Sequence, residues 1–191
     1  MKKCIAPLLF CATALLPAAA YAHTGVGHPS GFAAGFAHPV GGIDHLLAMV
    51  AVGLWATQLA GRALWLVPSA FVGTMIAGGL LGMSGIALPY NEQGITASLL
   101  ILGALIAGAC RMPAAVGALL VGFFALFHGH AHGAEMPANA GAFWYVGGFV
   151  AATVLLHGAG MLAGLAIKNR GNSTRIAGGA IALGGLYLAC F

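Results

Sequence analysis

The sequence predicts an all-α protein, an integral membrane bundle of six transmembrane helices. Of its 191 residues, 61% are hydrophobic and only 5% are charged, whereas a soluble domain is about 25% charged. The chain also contains 31 glycines, and glycine lets helices approach one another closely in lipid. Finally, Gly, Pro, Asn and charged residues divide most of the chain into apolar stretches near the ~20 residues that cross a bilayer.

Residues 1–22 have the pattern of a cleaved signal peptide. Lys2 and Lys3 precede an apolar core, and Ala20-Tyr21-Ala22 forms an A-x-A cleavage site. One alternative is a lipoprotein signal that ends at Cys11, although Phe10 stands where a small residue is expected. A second is an uncleaved helix, although its apolar core is short for a span. We therefore expect a mature domain of residues 23–191.

The predicted helices cover residues 36–59, 63–83, 94–110, 114–127, 143–167 and 176–191. The fourth reaches spanning length only if it continues into the His-rich run after Phe127. The Gly78-x3-Gly82 and Gly160-x3-Gly164 patterns indicate close helix packing. Because each group of three helices is odd in number, the second half would be inverted, which suggests a 3+3 inverted repeat.

Basic residues predict the orientation, since Lys and Arg concentrate in cytoplasmic loops. With a periplasmic N-terminus, every basic residue of the mature chain is cytoplasmic: Arg62, Arg111, Lys168, Arg170 and Arg175. Loops 84–93 and 128–142 and the C-terminus are then periplasmic. We expect a multi-pass protein of the bacterial inner membrane. The net charge of +4 includes Lys2 and Lys3, so it gives no indication of a nucleic-acid partner.

The stretch His38-Pro39-Val40-Gly41-Gly42-Ile43-Asp44-His45 brings a carboxylate and two imidazoles into lipid. An Asp near the bilayer centre costs about 2.5 to 3.5 kcal/mol, and no permanent cation is available to neutralise Asp44. In one continuous helix His38 and His45 lie nearly on one face. The Gly41-Gly42 pair predicts unwound backbone whose free carbonyls join the ligands. These residues predict a metal site; the alternative is that Asp44 pairs with His45 for structure.

A second group of candidate ligands follows Phe127, in Phe127-His128-Gly129-His130-Ala131-His132-Gly133-Ala134-Glu135. In a continued helix His128, His132 and Glu135 share one face. Imidazoles with a carboxylate suit Ni(II), Cu(II), Zn(II) or Co(II). The alternative is a solvated loop that collects metal loosely, and for His130, off that face, both interpretations stay open.

Three further histidines are possible metal ligands. His157 lies deep in the fifth predicted helix, where it is either a relay ligand toward the cytoplasm or a core histidine bonded to Thr153. His23 and His28 precede the first helix, and cleavage after Ala22 would let the new amino group and the His23 imidazole chelate together. A tail without metal is the alternative for these two residues.

Together the two motifs resemble the signatures of the HupE/UreJ family, the first of them extending from His38 through Ala56. The resemblance implies a nickel permease, associated with hydrogenase or urease maturation, and not an enzyme. It implies roles in transport for His38, Asp44, His45, His128, His132 and Glu135. The resemblance leaves cobalt open as the transported ion, since imidazole with carboxylate does not separate Co(II) from Ni(II).

The predicted function is secondary transport of Ni²⁺ into the cytoplasm, with the metal as substrate and no cofactor. The chain has no Gly-x4-Gly-Lys-[Ser/Thr] phosphate loop. A potential of ~100 mV, inside negative, supplies ~4.6 kcal/mol for a divalent ion, which suffices for uptake. Two alternatives are a membrane protein that holds metal for an assembling metalloenzyme and a proton channel built on the same residues.

Overall fold

A computed structural model describes residues 31–190 of the chain. The predicted signal peptide, His23 and His28 lie outside the described residues. Within them the chain forms seven helices and no strand: α1 Phe32–Gly41, α2 Ile43–Leu59, α3 Ala63–Met83, α4 Asn91–Ala107, α5 Ala114–Ala134, α6 Ala142–Ile167 and α7 Ser173–Cys190. The prediction of an all-α protein is confirmed.

The first predicted helix, residues 36–59, is wrong as a single helix, because α1 and α2 meet at an angle of 85°. Gly42 separates them with extended backbone, at φ −94° and ψ 117°, a conformation that interrupts the helical hydrogen bonds. The Gly42 carbonyl accepts a hydrogen bond from Leu46 N at 2.9 Å. The Gly42 oxygen thus accepts the first hydrogen bond of α2, so the expectation of a free carbonyl is wrong at this residue.

The other boundaries differ from the predictions by a few residues. Helix α3 has the predicted bounds, and α4 begins and ends three residues before the predicted segment. Helix α5 continues through the His-rich run to Ala134, as its length required. The predicted periplasmic loop is accordingly shorter, and its histidines belong to a helix.

Three helices, α3, α5 and α6, are each long and apolar enough to cross a membrane. The bent pair α1–α2 adds a fourth if it forms one span, whereas α4 has only 17 residues. These apolar helices fit a multi-pass membrane protein.

Glycines bring the helix backbones into contact. A Cβ on Gly78 or Gly82 of α3 would overlap the carbonyl oxygens of Leu126 or His130 on α5. On the other side of the same interface, Gly129 and Gly133 of α5 lie against the backbone of α3. Both contact pairs advance in the same direction, so α3 and α5 run parallel. The predicted role of the Gly-x3-Gly pattern in close packing is confirmed here.

A second parallel pair joins α2 and α6. A Cβ on Gly160 of α6 would overlap the Val50 carbonyl oxygen of α2, and a Cβ on Gly164, one turn later, would overlap Thr57 Oγ1, also further along α2. Helices α4 and α7 pack against each other in opposite directions, with Gly103 beside Ala182 and Gly178 beside Ala107. These pairs place the loops in two groups, at opposite ends of the bundle.

Charge is separated between these two ends. The basic side chains of the described range all lie at one end, here called the basic end: Arg62, Arg111, Lys168, Arg170 and Arg175. The acidic side chains of the same range lie at the opposite, acidic end: Asp44, Glu92 and Glu135. This asymmetry is the pattern that the positive-inside rule describes.

Candidate metal site

Four imidazoles from three helices form a row at the acidic end of the bundle. His38 of α1 is followed by His132 of α5 at 4.8 Å between ring centroids. His45 of α2 comes next, 4.6 Å from His132, and His128 of α5 lies 4.9 Å beyond it. The bend at Gly42 and the glycine contacts between α3 and α5 hold these helices in the positions that bring the rings together. We call His38, His132, His45 and His128 the histidine row.

A carboxylate accompanies the outer half of the row. Glu135 Oε2 lies 3.2 Å from His38 Nε2. The hydrogen bond with His38 holds the pKa of Glu135 below its ordinary value of 4.5. The carboxylate therefore stays ionised, and it places a negative charge at the solvent end of the row.

Asp44 contacts the ring in the middle of the row. Its Oδ1 atom lies 2.8 Å from His45 Nδ1 and accepts a hydrogen bond from His45 N at 2.7 Å. Ser98 Oγ of α4 lies 2.9 Å from Nε2 of His128, at the inner end of the row. A neighbouring oxygen therefore orients Nδ1 of His45 and Nε2 of His128. The second nitrogen of each ring is Nε2 in His45 and Nδ1 in His128.

Buried imidazole nitrogens in the row lack a partner among the described residues. These atoms are His45 Nε2, His128 Nδ1, and both nitrogens of His132. His128 and His132 are fully buried. An unpaired polar atom in a buried site costs free energy, so these nitrogens indicate a site that a ligand completes.

The ring spacing is compatible with metal coordination. A ligating nitrogen lies about 2.1 Å from a bound metal ion, so two rings on one ion have centroids roughly 4.5 to 5.2 Å apart. The three neighbouring distances in the row, 4.6, 4.8 and 4.9 Å, fall in this range. In the described part of the chain, however, no three His, Cys, Asp or Glu side chains converge on one ion position. Coordination by three or more of them requires the rings to turn.

Two geometric expectations about these residues are wrong. His38 and His45 do not share a helix face, because the bend at Gly42 places them on separate helices with centroids 6.4 Å apart. The helix-one motif and the His-rich motif are also not two separate groups of ligands, as the sequence predicted, since His132 contacts both His38 and His45. All six principal candidates, with Asp44 and Glu135 included, belong to one continuous cluster.

His130 lies off the row, as its position on α5 predicted. Its Nε2 atom lies 2.8 Å from the Ile86 carbonyl oxygen in the α3–α4 connection. The side chain is buried, so the interpretation as a solvated loop residue is wrong. The contact indicates that His130 anchors this connection to α5.

His157 lies beyond the inner end of the row, with the Phe71 ring between them. The Phe71 centroid is 5.7 Å from that of His128 and 5.1 Å from that of His157. His157 Nδ1 lies 3.0 Å from the Met49 carbonyl oxygen, so the alternative of a bond to Thr153 is wrong. Thr153 Oγ1 instead lies 3.3 Å from the Met49 sulfur and 3.5 Å from the Met75 sulfur.

Several residues at the site were not predicted. Ser98 Oγ contacts His128 Nε2 and donates a hydrogen bond to the Ile95 carbonyl oxygen of its own helix. Phe149 stacks on His132 at 5.2 Å and 16°, and the Tyr145 ring lies 6.1 Å from His38. The Tyr145 hydroxyl is buried without a partner among the described residues. A Tyr and a Phe on an apolar helix have no sequence signal that separates them from core residues.

Fold and site together define a helical membrane protein with a row of histidines, mostly buried, that two carboxylates contact. The family model described as "HupE / UreJ protein" matches residues 11–188. The chain is also 51% identical over 175 residues to Protein HupE of Rhizobium leguminosarum bv. viciae, covering 91% of each chain. The chain therefore belongs to the HupE/UreJ family. No solved structure matches it.

Proposed function

We propose that this protein is a secondary permease for Ni²⁺, which carries the ion across the inner membrane into the cytoplasm. The observation that carries the proposal is the histidine row, with its unpartnered buried nitrogens at metal-ligand spacing. Neutral imidazole is a good ligand for Ni(II). The family is associated with nickel handling for hydrogenase and urease, which supports the choice of this metal.

A row of ligands favours transfer in steps over storage in one closed site. The hydrated ion first meets Glu135 and His38, the exposed end of the row. It then exchanges water for imidazole nitrogens, and each step needs only neighbouring rings to turn toward it. Because neighbouring rings in the row lie 4.6 to 4.9 Å apart, the ion can bind to the next ring before it leaves the previous one.

The inner part of the path leads past Phe71 to His157. The His157 Nε2 atom is buried and has no partner within the described range, while Nδ1 is held by the Met49 carbonyl. His157 would therefore take the ion after His128. The sulfur atoms of Met49 and Met75 lie beside Thr153, one turn away on α6.

Six spans are proposed for the membrane arrangement, with α1–α2 counted as the first. Helix pairing supports an inverted 3+3 repeat. In this count α3 is span two, α4 span three, α5 span four, α6 span five and α7 span six. Exchanging the first three spans with the last three converts the parallel pair α3–α5 into the parallel pair α2–α6. The same exchange maps the antiparallel pair α4–α7 onto itself, as an inverted repeat requires.

The proposed orientation places the basic end in the cytoplasm and the acidic end, with the C-terminus, in the periplasm. The acidic end then attracts a divalent cation, and the membrane potential drives it inward. A potential of ~100 mV contributes ~4.6 kcal/mol for two charges. Uptake therefore requires no ATP.

Uptake of radioactive Ni²⁺ into liposomes that contain the purified protein tests the proposal. Wild-type protein should admit the ion into the lumen, and Asp44→Ala or His45→Ala should abolish entry. Saturable binding without entry would instead identify a metal-holding accessory protein. Nickel-independent proton flux would identify a proton channel, and full uptake in both variants would contradict the proposed site.

Competition by Co²⁺, Zn²⁺ and Cu²⁺ at equal low concentration determines the metal. Imidazole and carboxylate ligands alone do not separate Ni²⁺ from Co²⁺. We expect Ni²⁺ uptake to be reduced most by Co²⁺. A higher uptake of Co²⁺ than of Ni²⁺ by the same liposomes would make cobalt the substrate.

A further inference from the structure

A cavity of about 440 Å³ opens at the basic end of the bundle, far from the histidine row. This volume lies within the roughly 300 to 1,000 Å³ of small-ligand sites. Its walls come from the ends of α2, α4, α6 and α7, and they include Thr57, Gln58, Arg111, Lys168, Asn169 and Arg175. Three positive charges therefore meet around one space.

No carboxylate balances these charges. Among residues 31–190, no Asp or Glu forms an ion pair with a Lys or Arg, and the acids of that range lie at the other end of the molecule. Arg175 Nε donates a hydrogen bond to the Ala107 carbonyl oxygen at 2.8 Å, which fixes the guanidinium at the cavity wall. Like charges held together repel one another, so the cavity favours an anion.

Polar side chains complete the lining. Gln58 donates from Nε2 to the Ile106 carbonyl oxygen at 3.1 Å. Its Oε1 atom is buried and has no partner in the described chain, so it can accept a hydrogen bond from a ligand hydroxyl. A site with several cationic donors and one acceptor fits a phosphate group that carries a hydroxylated substituent.

The position of the cavity indicates where that phosphate comes from. It lies at the ends of four helices, the level at which phospholipid headgroups surround a protein whose helices cross the bilayer. Basic pockets between membrane helices bind anionic headgroups. We propose that this cavity binds the phosphate of an anionic phospholipid, with a phosphatidylglycerol headgroup as the chemical type.

The test compares two double variants of the full-length protein that lose the same charge. Arg111→Gln with Lys168→Gln removes two cavity charges, whereas Arg62→Gln with Arg170→Gln removes two charges from the same end outside the cavity lining. All four side chains are exposed, so both proteins should fold. Lys168→Gln alone serves as a milder variant if the cavity double variant does not fold.

Native mass spectrometry after reconstitution with phosphatidylglycerol and phosphatidylcholine in equal amounts measures lipid retention. The wild-type protein and the Arg62/Arg170 variant should retain phosphatidylglycerol in preference to phosphatidylcholine. The cavity variant should bind it about thirtyfold more weakly, since each basic side chain near an anionic lipid contributes about fivefold. The single variant should lose about fivefold.

Three outcomes would overturn the proposal. Equal losses in both double variants would show a general charge effect, and no loss in the cavity variant would show that the lipid binds elsewhere. In the third, inorganic phosphate added to the wild-type protein would displace phosphatidylglycerol in the same measurement. That result would make the free anion the occupant.

Discussion

Asp44 Oδ1 and His45 Nδ1 lie 2.8 Å apart, and the same oxygen accepts the His45 backbone N–H at 2.7 Å. A carboxylate at Nδ1 holds the ring proton on that nitrogen, which leaves the Nε2 lone pair free to bind metal. His45 Nε2 is the atom that has no partner among the described residues. We infer that Asp44 acts through His45, as a positioning residue.

Asp44→Asn tests this relationship. The Asn amide can donate a hydrogen bond to Nδ1, which moves the ring proton to Nε2 and removes the lone pair that binds metal. Nickel affinity should fall about 10- to 100-fold, the usual effect of losing an outer partner of a ligating histidine. Isothermal titration calorimetry of the purified protein measures the affinity.

X-ray absorption of the nickel-bound variant separates positioning from direct coordination. If Asp44 positions His45, Asp44→Asn loses one imidazole ligand. Loss of an oxygen ligand with all imidazoles retained would mean that Asp44 binds the metal directly. An affinity equal to that of the wild type would contradict both roles.

The sequence predicted the helical class and most helix bounds, because apolar length and Gly, Pro and charge interruptions are local signals. The six principal candidates were also found from local spacing, and they lie in one cluster. The bend at Gly42 was only partly predictable. Gly41-Gly42 indicated weak helix, but an 85° angle depends on how α1 packs against α6.

The partners of the histidines could not be predicted from spacing. Ser98 reaches His128 only because α4 packs against α5, and Phe149 stacks on His132 only because α6 crosses the row. The merging of two motifs into one row has the same cause. Contacts between distant segments depend on tertiary packing, for which a single sequence carries no periodic signal.

Two histidines on α5 should respond differently to the same substitution. His130→Gln keeps a donor for the Ile86 carbonyl, so nickel affinity should stay within about threefold of wild type and unfolding free energy should fall by about 1 kcal/mol or less. His132→Gln removes a ring whose two nitrogens have no partner in the described chain. Nickel affinity should then fall by at least about 10- to 100-fold, because losing a ligand costs no less than losing the hydrogen-bond partner of a ligating histidine.

Calorimetric titration and thermal unfolding of each variant check this pair. Nickel that binds nonspecifically to exposed histidines should not depend on His132, which is fully buried. His132→Gln therefore also serves as the control for such binding. Comparable affinity losses in the two variants would mean that His130 is a ligand as well.

Acid should weaken the contact between His38 and Glu135. The pKa of Glu135 is lowered by its hydrogen bond with His38, so the pair stabilises the folded protein above pH 4.5, the ordinary Glu value. That stabilisation disappears as the pH falls through the lower folded-state pKa. Because the Glu135 side chain is 61% exposed, solvent screening keeps the contribution at or below about 1 kcal/mol.

A double-mutant cycle of Glu135→Gln and His38→Gln measures this contribution. Thermal unfolding at decreasing pH should show a favourable coupling free energy at pH 6 that becomes smaller as the pH falls below 4.5 and the carboxylate is protonated. A coupling free energy that does not change with pH would mean that the carboxylate is not responsible. The single variants report any separate effect on helix packing.

Glycine contacts between α3 and α5 should control the position of the histidine row. In Gly129→Ala the new Cβ would overlap the Met75 carbonyl oxygen, and overpacking of this kind costs about 1 to 3 kcal/mol. The displaced α5 would carry His128 and His132 out of register with His45, so both unfolding temperature and nickel affinity should fall. Gly73→Ala, on α3, meets nothing within 4 Å and should be neutral or stabilising by up to about 1 kcal/mol. Equal behaviour of the two variants in thermal unfolding would show that this interface does not position the site.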